Sequence, residues 1–439
     1  MFVVRASIIG LIHHRAHGEH REIMKNFLLF RTNMRTVRRY YSPLSRFLCA
    51  LCVLCGTISA QNFKTVHDGV EYAQVEHKLG SDPVKINLLR LDLKKVRLDV
   101  HHALDKAIGL ETTSSIAKRK GAVAAINAGF FRLDKSEFAG DAAGVLMIDS
   151  VLVSESVNNR IALAISNGRK NSEIEIGHLR AGYVAGFGTD SEFTFDGVNR
   201  ERKSNEIILF TPGFSRDTMT DSKGTEIILT NCKAEEFRWW CTTAKINRDQ
   251  GKSLIPHDGL VVSIGNEAID RSNNILYFAE GASLAHRSFE NTFRIVRRIE
   301  SVEPGESGTP VSAEDITNGV SRLLKNSRVD ITWQDEKASR SFSETRHPRT
   351  AVAKLKDGKS LMMTVDGRQP GVSVGMSLQE LAEYLLSLGA VDAMNLDGGG
   401  STTMFLDGKV VNTPSDKTGE RKVGDAILVT LRQGPGKKR

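Results

Sequence analysis

The chain has 439 residues and a formal net charge of +8. Nine Lys/Arg against two acids fall between Met1 and Ala60, so the remainder is close to neutral. A near-neutral body argues against a broad nucleic-acid-binding surface, and its length suits one large domain or two ordinary ones.

Phe47 to Ile58 is an apolar run of 12 residues without charge, too short for a membrane-spanning helix. Arg35, Arg38, Arg39 and Arg46 precede it and Ser59-Ala60-Gln61 follows. Basic, apolar, then small residues is the layout of a secretory signal, with cleavage expected after Ala60. A start at Met34 gives such a signal its ordinary length. The alternative is an uncleaved N-terminal anchor. The expected division is residues 1–60 as extension and signal and residues 61–439 as the working domain. The product is then exported, periplasmic or extracellular, with no stable membrane span after cleavage. Cys49, Cys52 and Cys55 leave with the signal. Cys232 and Cys241 remain, a disulfide candidate in an oxidising compartment or else two buried thiols.

Val84 to Val100 alternates apolar and polar residues and predicts two strands joined by a turn near Lys94-Lys95. Thr112-Thr113-Ser114 can cap a short helix through Ile116 and Ala117, which Gly121 ends. Val123–Ile126 is a buried strand that ends in Asn127-Ala128-Gly129-Phe130-Phe131. Gly144 to Val153 and Arg160 to Ile165 predict strands, and Asn167-Gly168 a hairpin turn into Glu173–Ile176. Asn199-Arg200-Glu201-Arg202 is a polar loop before the strand Glu206 to Phe210. Thr225 to Leu229 and Gly259 to Ile264 continue the β pattern. Residues 265–320 carry weak signals; Arg294, Arg297 and Arg298 read as a solvated strand face.

From Arg346 the signals tighten. His347-Pro348-Arg349-Thr350 leads into the strand Ala351–Ala353, and Asp357-Gly358 turns it back through Leu361 to Val365 and Asp366-Gly367-Arg368. Ser377 to Leu388 is the best helix: Ser377 and Glu380 form a capping box, Leu378, Leu381, Ala382 and Leu385 share one face, and Gly389 stops it. The short strand Ala390–Met394 then runs into Asn395-Leu396-Asp397-Gly398-Gly399-Gly400-Ser401-Thr402-Thr403. A hairpin over Met404–Val411 and a strand over Asp425–Leu431 close the chain. Short strands outnumber helices, so the predicted class is α+β, with β-rich mixed sheets flanked by a few helices.

Asp366 and Asp397 each end an apolar strand, with one helix between. If those strands are parallel neighbours, the crossover brings both carboxylates to one sheet edge. Arg349 and Arg368 lie close in sequence. The amides of Gly398, Gly399 and Gly400 can converge on an anion, aided by Ser401. Carboxylates, arginines and a glycine nest suit chemistry on an anionic substrate. The plainer reading is a glycine turn between strands, with two turn-forming aspartates and a surface ion pair.

Asn127-Ala128-Gly129-Phe130-Phe131, Asn199-Arg200-Glu201-Arg202, His347-Pro348-Arg349-Thr350-Ala351-Val352, Asp366-Gly367-Arg368 and Asn395–Thr402, in that order, resemble the phosphodiester glycosidase family. Asn412-Thr413-Pro414-Ser415-Asp416 and Gly419-Glu420-Arg421 extend the likeness. Ala128 and Ala353 stand where the family usually has glycine. The resemblance implies hydrolysis of the sugar C1–O bond of a sugar-1-phosphodiester of the N-acetylglucosamine type, or of a phosphate-containing glycopolymer. It implies Asp366 and Asp397 as catalytic carboxylates, with Arg349, Arg368, Gly398–Gly400 and Ser401 on the phosphate and Asn127 and Arg200 as further contacts. His347 is either a general acid or a loop residue. No cofactor is required by these residues. Two other readings stay open: a phosphoesterase that cleaves P–O with a divalent cation on Asp366 and Asp397, and a non-catalytic glycan- or wall-binding protein.

Overall fold

A computed structural model describes residues 61–187, 191–284 and 292–432. The expected signal, its three cysteines and the cleavage point at Ala60 lie outside these residues.

The described residues are mostly strand, in three main sheets. The eight-stranded sheet runs Lys64–His67, Val70–Leu79, Asp82–Leu91, Ser360–Val365, Arg349–Leu355, Ala390–Asn395, Arg322–Lys325 and Arg328–Val329, every neighbouring pair antiparallel. Helix Leu378–Ser387 buries Leu378, Leu381, Ala382 and Leu385 in the core that covers one face of this sheet. Its capping box is complete, and Gly389 takes the positive φ that ends it.

The five-stranded sheet has Ala124–Asn127 and Asp425–Leu431 at its centre, between Met404–Leu406 and Val96–His102. Helix Thr113–Lys120, capped by the Thr112 hydroxyl, packs Ile116 and Ala117 on it. The largest sheet includes the hairpin Ile161–Asn167 to Ser172–Phe187 and the hairpin Gly224–Glu235 to Arg238–Arg248. The last carries the Cys232–Cys241 disulfide across directly opposed residues. One core joins the three sheets: Leu98 and Ile427, Ile161 and Leu163, Val352 and Met394 pack in the same apolar cluster.

Several expectations change. The strands Asp82–Leu91 and Val96–His102 do follow one another, but they pair in different sheets. Gly144 to Val153 is a hairpin, Leu146–Ile148 to Val151–Ser154, because Asp149 and Ser150 turn the chain at φ 48° and 64°. Asp315 accepts the Asp149 amide and holds that turn. Residues 265–320 contain the helix Asn273–Leu284 and the strand Phe293–Ser301. Arg294 and Arg298 face Glu192 on that strand, whereas Arg297 reaches back to the Ser150 carbonyl. The largest sheet is mixed, as expected: Gly197–Val198 pairs parallel with Ile207–Phe210, while the strands named above pair antiparallel.

Candidate functional site

Ser360–Val365 and Ala390–Asn395 are parallel to each other but are not neighbours. Arg349–Leu355 lies between them and runs the opposite way. Two strands therefore end, and the middle strand begins, at a single edge. This geometry gathers Asp366, Asp397 and Arg349, and the middle strand adds the preceding His347-Pro348.

Asp366 is 2% exposed. Its carboxylate accepts Asn412 Nδ2 at 3.1 Å and the Thr413 amide at 3.1 Å to each oxygen. Burial raises its pKa, and these donors oppose the rise. Asp397 is held differently. Its Oδ1 accepts the Gly398 amide at 2.8 Å. Burial raises its pKa from 3.8 to about 6, while Ser401, Gly398 and Arg421 draw it down. Ser401 lies near enough for that pull, yet its hydroxyl completes no hydrogen bond of full geometry. Among the described residues the buried hydroxyls of Ser401, Thr402 and Thr403 find no hydrogen-bond partner.

The glycine turn is shaped by its neighbours. Gly398 and Gly399 amides already donate to Asp397 and to the Pro348 carbonyl, so two of the three expected anion donors serve the turn itself. Gly399 has φ 62° and lies under the Arg368 guanidinium, 3.1 Å from where a Cβ would stand. A Cβ on Gly400 would fall 2.2 Å from Asp416 Oδ1 and 2.3 Å from Arg421 Nη2. Those two side chains form a two-point ion pair, 2.8 and 3.0 Å, directly against the turn. A side chain at Gly400 would have to push this ion pair aside.

Arg349 is 1% exposed. Its Nε donates to the Met376 carbonyl at 2.9 Å and its Nη2 to Phe342 and Thr345 carbonyls at 2.7 and 3.1 Å. Burial and Arg368 lower its pKa to about 10. Arg368 is exposed, with φ 59°. Among the described residues neither arginine has a carboxylate within ion-pair distance. His347 Nδ1 lies 3.5 Å from Arg368 Nη2, and burial, then Arg349 and Arg368, depress its pKa. A depressed histidine is neutral at neutral pH, which weakens the general-acid reading.

Two sequence-derived residues take other roles. Asn127 is fully buried, and its side chain ties four strands' ends together. Its Nδ2 donates to the Asp397 carbonyl at 2.7 Å; its Oδ1 accepts Thr350 Oγ1 at 2.8 Å and the Thr403 amide at 3.0 Å. It positions the glycine turn from a fully buried place. Arg200 is neutralised by Glu155 at 2.7 Å and by Glu206 at 2.8 and 3.2 Å, and donates to the Asp196 carbonyl. No hydrogen bond links it to the turn.

The sequence reading missed Asn412 and Thr413, which hold Asp366, and the Asp416–Arg421 pair. The Asn412–Asp416 and Gly419–Arg421 stretches were visible as motif, but nothing local told which strand end they cover. Among the described residues no three His, Cys, Asp or Glu side chains converge as a metal-ligand group. A cavity of about 340 Å³ opens elsewhere, between His101, Lys106, Lys120, Asp149 and Asn199.

Residues 244–430 match the family model described as phosphodiester glycosidase, and the resemblance read from the motifs holds there. The chain is 34% identical over 110 residues to the N-acetylglucosamine-1-phosphodiester alpha-N-acetylglucosaminidase of Bos taurus, covering 23% of this chain and 20% of that protein. It is 35% identical over 99 residues to the SPbeta prophage-derived uncharacterized protein YomE of Bacillus subtilis, covering 23% of this chain and 14% of that one. The chain thus spans a fifth or less of the length of these curated relatives. A hypothetical protein from Synechocystis shares the fold, with TM-score 0.64 and 21% identity over 85% of this chain and 64% of that chain.

Proposed function

We propose that this chain is an exported hydrolase that cleaves the sugar C1–O bond of a sugar-1-phosphodiester, releasing free sugar and a phosphomonoester. One observation carries the reading. Asp366, Asp397 and two arginines without carboxylate partners meet at one sheet edge, beside a turn that buries unpartnered hydroxyls. The family resemblance over residues 244–430 points to the same chemistry.

The two aspartates suit different roles. Asp397 has its pKa raised to about 6 and one amide donor on its carboxylate, which leaves it poised to take a proton from water or to attack C1 at neutral pH. Asp366 is saturated by Asn412 and Thr413, so it fixes that arm over the site and acts as a positioning residue. A phosphate monoester is a good leaving group, so a neutral His347 is no obstacle. Arg368 and the buried charge of Arg349 draw the phosphate toward the turn. Phe130 and Phe342, with ring centroids 6.0 Å apart, supply an apolar wall for a sugar face. Export is supported by the Cys232–Cys241 disulfide, a bond that persists in oxidising compartments. No helix among the described residues is long and apolar enough to cross a membrane.

The test is sugar release from UDP-GlcNAc and from an alkyl GlcNAc-1-phosphodiester. Release by the parent and its loss in Asp397→Asn supports the reading. Release unaffected by Asp397→Asn removes the site, and binding of a wall polymer with no turnover replaces the hydrolase with a glycan-binding protein.

A further inference from the structure

Arg160 precedes the strand Ile161–Asn167 of the largest sheet, and Arg368 follows the strand Ser360–Val365 of the eight-stranded one. It is half-buried. Its guanidinium lies over the Phe130 ring, 5.5 Å from the centroid, and its Nη1 donates to the Ala143 carbonyl. Its Nε is buried with no partner. Among the described residues no carboxylate lies within ion-pair distance of it.

Its place is tied to the glycine turn from two directions. Phe130 sits two residues after Ala128, whose carbonyl accepts the Asp397 amide at 2.9 Å. Ile161, next to Arg160, accepts the Gly319 amide at 2.8 Å, and Val320 donates to the Asn395 carbonyl at 3.0 Å, two residues before Asp397. The charges that act on Arg160 are Glu336 and Asp397. Other arginines in and around this region have acids: Arg421 has Asp416, Arg200 has Glu155 and Glu206, and Arg346 has Glu380. A buried donor without an acceptor, on a cation without an anion, is costly unless a ligand completes it.

We propose that Arg160 is a further cation of the phosphate site, beside the buried charge of Arg349, and grips the departing phosphomonoester together with Arg368. The inference rests on the glycosidase reading. When C1–O breaks, its electron pair stays on the phosphate oxygen, and a diester with one negative charge becomes a monoester with two. Water gives its hydroxyl to C1 and its proton to Asp397. The extra charge appears on phosphate, where an added arginine favours the product, and the transition state leading to it, more than the singly charged diester.

The test is calorimetric binding of methyl phosphate (a dianion at pH 8) and dimethyl phosphate (a monoanion) to the full protein and to Arg160→Gln, Arg160→Lys and Arg368→Gln. The parent should bind methyl phosphate more tightly. Arg160→Gln should weaken methyl phosphate by about tenfold or more, the worth of one charge-assisted hydrogen bond. Dimethyl phosphate should change less, and Arg160→Lys should recover part of the loss. If Arg160→Gln does not fold, the Lys variant must still separate the two ligands less well than the parent. Methyl phosphate affinity within about twofold of the parent in the folded variants, less than the worth of one such bond, or no binding to the parent, overturns the proposal. Sugar release that persists with Arg160-independent phosphate binding removes the clamp and keeps the glycosidase. Arg160-dependent phosphate binding with no sugar release from any phosphodiester keeps the anion site and removes the glycosidase.

Discussion

Asp397 ties the chemistry to a measurable cost. Burial lifts its folded pKa from 3.8 to about 6. Between those values the folded protein still holds a proton that the unfolded chain has lost. Its stability contribution is therefore full below about pH 4 and falls as pH rises through 6, by up to about 3 kcal/mol for two pKa units. Asp397→Asn should gain stability of that order at pH 7.5 in denaturant melts while losing about a thousandfold or more in kcat/KM. Parent kcat/KM should fall on the acid side with a midpoint near 6, because the carboxylate must be ionised. Asp366→Asn should behave otherwise. It weakens the hold on Asn412 and Thr413, so it should lower the melting temperature and mainly raise KM; an unchanged KM with abolished kcat would make Asp366 a reacting group instead. These two residues looked equivalent in the sequence, each ending an apolar strand before glycine. Their difference comes from residues 412–416, which only the folded chain brings to Asp366.

The elements around the turn were legible in part, and the reason is physical. The helix Leu378–Ser387 carried its own cap, stop and apolar stripe, so local residues sufficed. All three strands were visible, the one through Ala351–Ala353 included, but its place between the two carboxylate strands was not, since strand order is decided by pairing between distant parts of the chain. The hairpin turn at Asp149-Ser150 hid because neither residue is glycine and its support comes from Asp315. Asn127 shows the same limit at the turn itself: an asparagine at a strand end signals a polar task, but its partners are Thr350, Asp397 and Thr403. Asn127→Ala should cost about 2–4 kcal/mol, since it orphans several buried groups at once, and calorimetric unfolding reads that loss. Gly400→Ala should keep the fold but displace the Asp416–Arg421 pair. Activity lost with a nearly unchanged melting temperature is the expected outcome, and full activity would show that the close approach is dispensable.

Across the whole molecule, charge as well as apolar packing joins the large sheet to the eight-stranded one. His178 and Glu303, on or beside the large sheet, meet Arg322 of the other, and Glu336 accepts the Arg322 and Ile161 amides. All four side chains are buried. Glu303 opens the stretch Glu303-Pro304-Gly305-Glu306, and such turn residues give no hint that its acid turns inward. Arg322→Met should destabilise by about 1–3 kcal/mol, as it takes one of two cations from the buried Glu303 and leaves Lys325 as the other. That joint includes Ile161, the residue after Arg160. The proposed reaction at this edge breaks C–O and not P–O. The most direct test is hydrolysis of an alkyl GlcNAc-1-phosphodiester in water enriched in heavy oxygen, followed by mass analysis of both products. The account predicts the label on the sugar C1 hydroxyl and none on the phosphomonoester; label on the phosphate would contradict it.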